Sequence, residues 1–191
     1  PDGRIGVKLH GFMPENGADR HEKSDRVPYT AWAQGGYCTL TPGDVTDNSY
    51  VYNWICEGER EHGWEVEEVD YDGRNATDLA IRMNEDRNRE DFCVEVAQTC
   101  AGQNLAVKTF RELLLQDRVV IEESPLVLWC LQNAIEIQDN YGNIKLSKRH
   151  KDDTERIDPV AAAMNALARV LVKRPAGSDI NEHILSDDWG L

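Results

Sequence analysis

The stretch Arg156-Ile157-Asp158-Pro159-Val160 opens an apolar run that continues to Leu171, and it constrains the fold more than any other segment. Val160, Ala163, Met164, Leu167 and Leu171 recur at three- and four-residue spacing, so the helix they form lays one side on a core. Asp158 stands where an N-cap belongs and Pro159 where a first helical residue belongs. The pattern therefore fixes an acid at the edge of a buried element. Two roles are open to that acid: it caps the helix and nothing more, or it is a metal ligand held rigidly by the helix and completed by partners elsewhere.

What such an acid can belong to is bounded by composition. A chain of 191 residues with 40% hydrophobic and 29% charged content suits one domain with a sizeable core. Its net charge of -14 is the opposite of a free-standing nucleic-acid binder, so any role on nucleic acid requires metal ions or another domain. Cys38, Cys56, Cys93, Cys100 and Cys130 are odd in number, spread out and free of CxxC pairs, which reads as reduced core residues and neither disulfides nor a zinc site. No charged-then-apolar leader and no long apolar run is present, so neither secretion nor membrane insertion is expected. GxxxxGK[ST] and HExxH are both absent, and the five His are scattered.

Along the chain, Ile5, Val7 and Leu9 alternate with polar residues as a half-buried strand, and 15–27 reads as a solvated loop. A short strand at Tyr37 to Leu40 is stopped by Thr41-Pro42-Gly43, and Asp47 caps a helix with Tyr50, Val51, Trp54 and Ile55 on one face and Gly63 at its end. Trp64 to Tyr71 predicts a strand broken by Asp72-Gly73, followed by a helix from Asn75 to about Arg87. Phe92 to Val96 is the next strand, a helix through Ala106, Phe110, Leu113 and Leu114 follows, and Val119-Val120-Ile121 is a further strand. Leu126 to Cys130 fits helix or strand equally. Ala134 to Gln138 and Ile144 to Leu146, joined through Asp139-Asn140-Tyr141-Gly142-Asn143, predict a hairpin. The final helix ends near Pro175, leaving 173–191 as a mobile acidic tail after a single domain over 1–172. Trp54 and Trp129 are expected in the core.

Strands alternating with helices in the middle, with antiparallel pieces at the ends, predict an α/β fold with a sheet of mixed direction. Sites in such sheets gather at the carboxyl ends of strands, which is where Asp72 falls. Asp72 is either turn chemistry before a glycine or one of two acids that converge on hard cations. Mg²⁺ and Mn²⁺ prefer carboxylate oxygen, and two such ions would activate a water and stabilise the leaving oxygen in phosphodiester cleavage. Lys145, Lys148, Arg149, His150 and Lys151 cluster just ahead of Asp158, either as a solvated loop or as a contact to a nucleic-acid backbone.

The succession Val27 to Trp32, Leu40 to Gly43, Val69-Asp70-Tyr71-Asp72, Asn133-Ala134, Gly142 to Lys148 and Arg156 to Ala161 resembles the nuclease half of tailed-phage terminase large subunits over about residues 1–172. The resemblance implies an RNase H-like mixed β-sheet flanked by helices. It also implies a metal-dependent endonuclease that cuts concatemeric viral double-stranded DNA during packaging with two Mg²⁺ or Mn²⁺ ions. Asp72 matches the second of the family's three metal-holding acids and Asp158 the last, with Glu155 as an auxiliary position. The family's partners would then be its upstream ATPase domain, the small terminase subunit and the portal protein, with no membrane, in the host cytoplasm during virus assembly.

The family's first acid lies on a strand ahead of Ile5 that this chain does not contain. The catalytic set is therefore expected to be short of one carboxylate and the sheet to be open in its middle. Two alternatives stand beside this reading: a non-catalytic RNase H-like packaging module that binds portal or partner subunits through its acidic surface, and another RNase H-like nuclease such as a resolvase.

Overall fold

Parallel strands cannot be joined by tight turns, so the helices that carry the crossovers organise this chain. The structure is a computed structural model that describes residues 4–74, 76–150 and 154–172. Strands β1 (Ile5–Val7) and β2 (Gly11–Pro14) lead to helices α1 (Ala18–Asp25) and α2 (Tyr29–Gln34), then to β3 (Cys38–Thr41) and α3 (Asn48–His62). Through the middle run β4 (Val69–Tyr71), α4 (Thr77–Arg87), β5 (Cys93–Glu95), α5 (Cys100–Leu115) and β6 (Val119–Ile121). Helix α6 (Pro125–Asn133), strands β7 (Ala134–Gln138) and β8 (Ile144–Lys148), and helix α7 (Asp158–Val172) follow.

The mixed direction expected from the sequence is present. Strands β1 and β6, β2 and β3, and β4 and β5 pair in parallel, while β7 and β8 are antiparallel. Among the described residues each strand has one hydrogen-bonded neighbour, so the strands form pairs and no continuous sheet. The hairpin turn is held by Asp139, whose carboxylate accepts the backbone N–H groups of Tyr141 and Asn143 at 2.9 Å each.

Three apolar clusters form the core. Val160 of α7 packs with Tyr29, Trp32, Cys38, Leu126 and Cys130; Met164 of α7 packs with Val107, Phe110 and Ile144; Ala80, Met83, Phe92 and Cys93 make the third. Helix α7 thus belongs to two clusters at once, with Val160 2% and Met164 0% exposed. No helix of the described residues is long and apolar enough to cross a membrane. Cys38, Cys93 and Cys130 are buried free thiols and Cys56 and Cys100 are half-buried ones.

Several expectations change. The segment read as a solvated loop contains helix α1, whose buried residues are Ala18 and Asp25 only, so no apolar stripe announced it. The expected first strand divides into β1 and β2, which take different partners. Only Val69–Tyr71 of the expected Trp64 to Tyr71 strand is ladder-paired. The ambiguous Leu126 to Cys130 run is helical, because Ser124 accepts the Val127 N–H at 3.3 Å and Pro125 supplies a preset first turn. Trp129 packs on the first cluster as expected, whereas Trp54 packs outside the three clusters, against His10, Phe12 and Trp64. Asn75, Lys151 and the tail 173–191 lie outside the described residues.

Helix α3 follows expectation at both ends. Asp47 accepts the Ser49 N–H at 2.8 Å, and Gly63 turns left-handed with φ 68°. Past that turn, the Trp64 N–H returns to the Gly58 carbonyl at 3.2 Å and the indole lands on Gly58, where a Cβ would lie 1.9 Å from the ring. Gly58→Ala is therefore expected to destabilise the protein by about 1–3 kcal/mol, through a displaced indole rather than helix propensity, as read by urea unfolding with tryptophan fluorescence.

Candidate active site

Asp158 enters the structure as the first residue of α7. The first helical hydrogen bond runs from the Ala161 N–H to the Ile157 carbonyl at 2.9 Å, so Ile157 occupies the cap and Asp158 the first turn, one place later than the sequence reading put it. Its exposed carboxylate still sits at the positive end of the helix dipole.

The loop that delivers Asp158 is tied down on three sides. Asn133 donates its side-chain amide to the Arg156 carbonyl at 3.3 Å. The Glu155 carboxylate accepts the backbone N–H of His150 at 2.7 Å and meets its Nδ1 at 2.8 Å, contacts that hold the Glu155 carboxyl below the usual carboxylate range. Arg156 reaches across to Asp25, whose side chain is 0% exposed, donating from Nε at 3.3 Å. Asp25 also accepts from Ser24 at 2.6 Å and from the Tyr29 hydroxyl at 2.8 Å. Burial, then the bond to Asp25, pushes the Tyr29 phenol up, so it stays a donor.

Asp25, Tyr29 and Arg156 line a cavity of about 400 Å³ whose walls also include Asp158, Pro159, Met13, Leu126, Trp129 and Cys130. Burial, with the Asp158 charge second, pushes the Cys130 thiol up to about 12, so it is a neutral apolar wall rather than a nucleophile. Sequence reasoning missed Asp25 and Arg156 as a pair. They stand 131 residues apart, and neither lies in a periodic stretch.

Asp72 follows the last residue of β4, exposed, with its carboxylate accepting the Arg74 N–H at 3.2 Å. Glu95, the last residue of the neighbouring β5, lies against the same turn: a Cβ on Gly73 would be 2.4 Å from its Oε1. Strand β4 packs against helix α7. Arg169 on that helix meets Glu68 at 2.9 Å and Asp70 at 3.8 Å, while Asn165, one turn earlier, accepts from Gln98 beyond β5 at 2.9 Å and from Gln103 at 3.2 Å. Asp158, Ala162, Asn165 and Arg169 share one helical stripe.

Among the described residues no three His, Cys, Asp or Glu side chains gather as a metal cage. Asp72 and Asp158 each present an exposed carboxylate, the hard donor that Mg²⁺ and Mn²⁺ take, while Glu155 is engaged with His150. Of the basic cluster, Lys145 donates to the Gln98 carbonyl at 3.1 Å and Arg149 to the Gln132 carbonyl at 2.8 Å. Lys148 lies half-buried at the end of β8, opposite Ala134.

The mixed α/β arrangement matches the terminase nuclease domain, which is RNase H-like. Residues 1–174 match the family described as the terminase large subunit, endonuclease domain, and the chain belongs to that family. It is 29% identical over 159 residues to the large terminase subunit of Enterobacteria phage HK97, covering 79% of this chain and 29% of that protein. The crystal structure of the HK97 large terminase superposes with a TM-score of 0.71 at 28% identity, covering 83% of this chain and 32% of that one. The chain thus spans less than a third of the length of either relative.

Removing the Asp25 carboxylate would leave the Tyr29 hydroxyl without its acceptor and Arg156 with only the His21 ring at 3.5 Å. Since Arg156 is 30% exposed and water recovers part of the loss, Asp25→Ala is expected to cost about 2 kcal/mol in urea unfolding, with an unchanged value showing the pair to be idle.

Proposed function

We propose that this chain is the divalent-metal-dependent endonuclease domain of a phage DNA-packaging terminase and cuts concatemeric viral double-stranded DNA. The observation that carries the reading is the placement of Asp72 and Asp158, two exposed carboxylates at the end of β4 and the start of α7, in a chain of the terminase endonuclease family. These two acids would hold Mg²⁺ or Mn²⁺, with Glu155 joining if it leaves His150. The ions, when bound, supply an activated water and a counter-charge for the leaving oxygen.

The remaining work falls to the chain's own side chains. Arg156, anchored by buried Asp25, keeps the loop before Asp158 in one place, so the carboxylate is presented without ordering cost on binding. Lys145, Lys148 and Arg149 on and after β8 would meet the DNA backbone, contacts that position the duplex without reading its sequence. With a net charge of -14, the domain relies on metal ions and on its packaging partners to approach DNA at all. Those partners are the upstream ATPase domain, the small terminase subunit and the portal protein, assembled in the host cytoplasm.

The test uses the protein extended upstream through the family's first acidic strand. Plasmid cleavage in Mn²⁺ should fall to background in Asp158→Asn, a change that costs the helix only about 0.3–1 kcal/mol of dipole interaction. Cleavage at the parent rate would reduce Asp158 to a first-turn acid and end the reading.

A cation that binds the folded site stabilises it by mass action, so Mn²⁺ at about one hundred times its Kd should stabilise the parent by about 2.7 kcal/mol. For a domain of this size that is a rise of roughly 5–10 °C in Tm, reversed by EDTA and lost in Asp158→Asn. A parent whose Tm ignores Mn²⁺ and EDTA would instead fit the non-catalytic packaging module.

A further inference from the structure

A second cleft, of about 290 Å³, shares only His10 with the cavity beside Asp158. Its walls are aromatic. The Trp54 and Trp64 rings meet edge to face with centroids 5.1 Å apart, and His10 stacks on Trp54 at 5.5 Å. Glu57, Glu61, Glu122 and Glu123 line the same cleft, all four exposed.

One cation shows what the cleft attracts. The Lys8 ammonium lies 5.9 Å from the Trp64 ring centroid and 3.0 Å from the Glu122 carboxylate, and Lys8 is the only lysine or arginine among the lining residues. Glu122 is paired with Lys8 and Glu61 with Arg60 at 3.2 Å, so four carboxylates meet two cations and an excess of negative charge remains. The wall is also built in place: the left-handed turn at Gly63 returns the chain so that Trp64 packs on Gly58, a position where no side chain fits.

We propose that this cleft binds an arginine side chain from a basic segment of a partner protein. Tryptophan is the strongest aromatic partner for a cation, and a planar guanidinium can lie on the indole while forking onto a carboxylate. The volume admits a single long side chain and excludes a folded element. DNA does not fit the charge, since phosphates would face the four glutamates. The partner is therefore a basic protein segment, and the inference stands or falls apart from the nuclease reading.

The test is a titration of the ¹⁵N-labelled chain with acetyl-Gly-Arg-Gly-amide, following the assigned indole N–H signals of Trp54 and Trp64. Both should shift saturably, and the citrulline peptide, which has the same shape without the charge, should leave them in place. The variant Glu57→Gln/Glu61→Gln/Glu122→Gln/Glu123→Gln alters only exposed carboxylates, so its amide spectrum should remain folded while the peptide Kd weakens tenfold or more. Equal shifts with citrulline, a non-saturating response, or an unchanged Kd in the variant would overturn the proposal. So would a short DNA duplex that moves the same two indoles at lower concentration than the arginine peptide.

Discussion

The interaction on which the rest of this structure depends is the seating of α7 between two apolar clusters. Val160 and Met164 are one turn apart, yet they enter different clusters, one built from α2, β3 and α6 and the other from α5 and β8. Burying two such side chains contributes on the order of 3–6 kcal/mol before entropy is counted. The geometric consequence is larger. With Val160 and Met164 on one buried face and each held in its own cluster, the rotation of the helix is fixed.

From that fixed rotation the electrostatics follow. At one end of the stripe Arg169 ties α7 to Glu68 and Asp70 beside β4, and at the other Arg156 ties the entering loop to α1 through Asp25. Between them Asn165 accepts from Gln98 and Gln103. Arginine thus pairs with acids at both ends of the helix, while Asp72 and Asp158 remain exposed. Both carboxylates stay where a cation can reach them, as the proposed function requires.

How much of this could be read from the sequence depends on whether the signal was local. The hairpin of β7 and β8, the Asp47 cap and Gly63 stop of α3, and the apolar face of α7 are written in neighbouring residues, and the structure carries all three. Helix α1 is not: its residues are nearly all polar, and its anchor, Asp25, finds Arg156 only after the fold has closed. The β1–β2 break was hidden for the same reason, since alternation continues across it while the hydrogen-bond partner changes. Asp158 was placed one residue early because a Pro after an acid reads as cap and first turn, and only the Ala161 to Ile157 bond decides the register. Glu95 gave no signal, being an ordinary acid in a short strand until β4 lies beside it.

The central claim is that Asp72 and Asp158 converge on a shared cation. The most direct measurement is a crystal of the protein soaked in Mn²⁺ and recorded at the manganese absorption edge. An anomalous peak with oxygen atoms of both carboxylates at about 2.1–2.2 Å is the predicted result. Carboxylates held more than about 8 Å apart, with no peak touching either, would contradict it, because no ion at such bond lengths could bridge them.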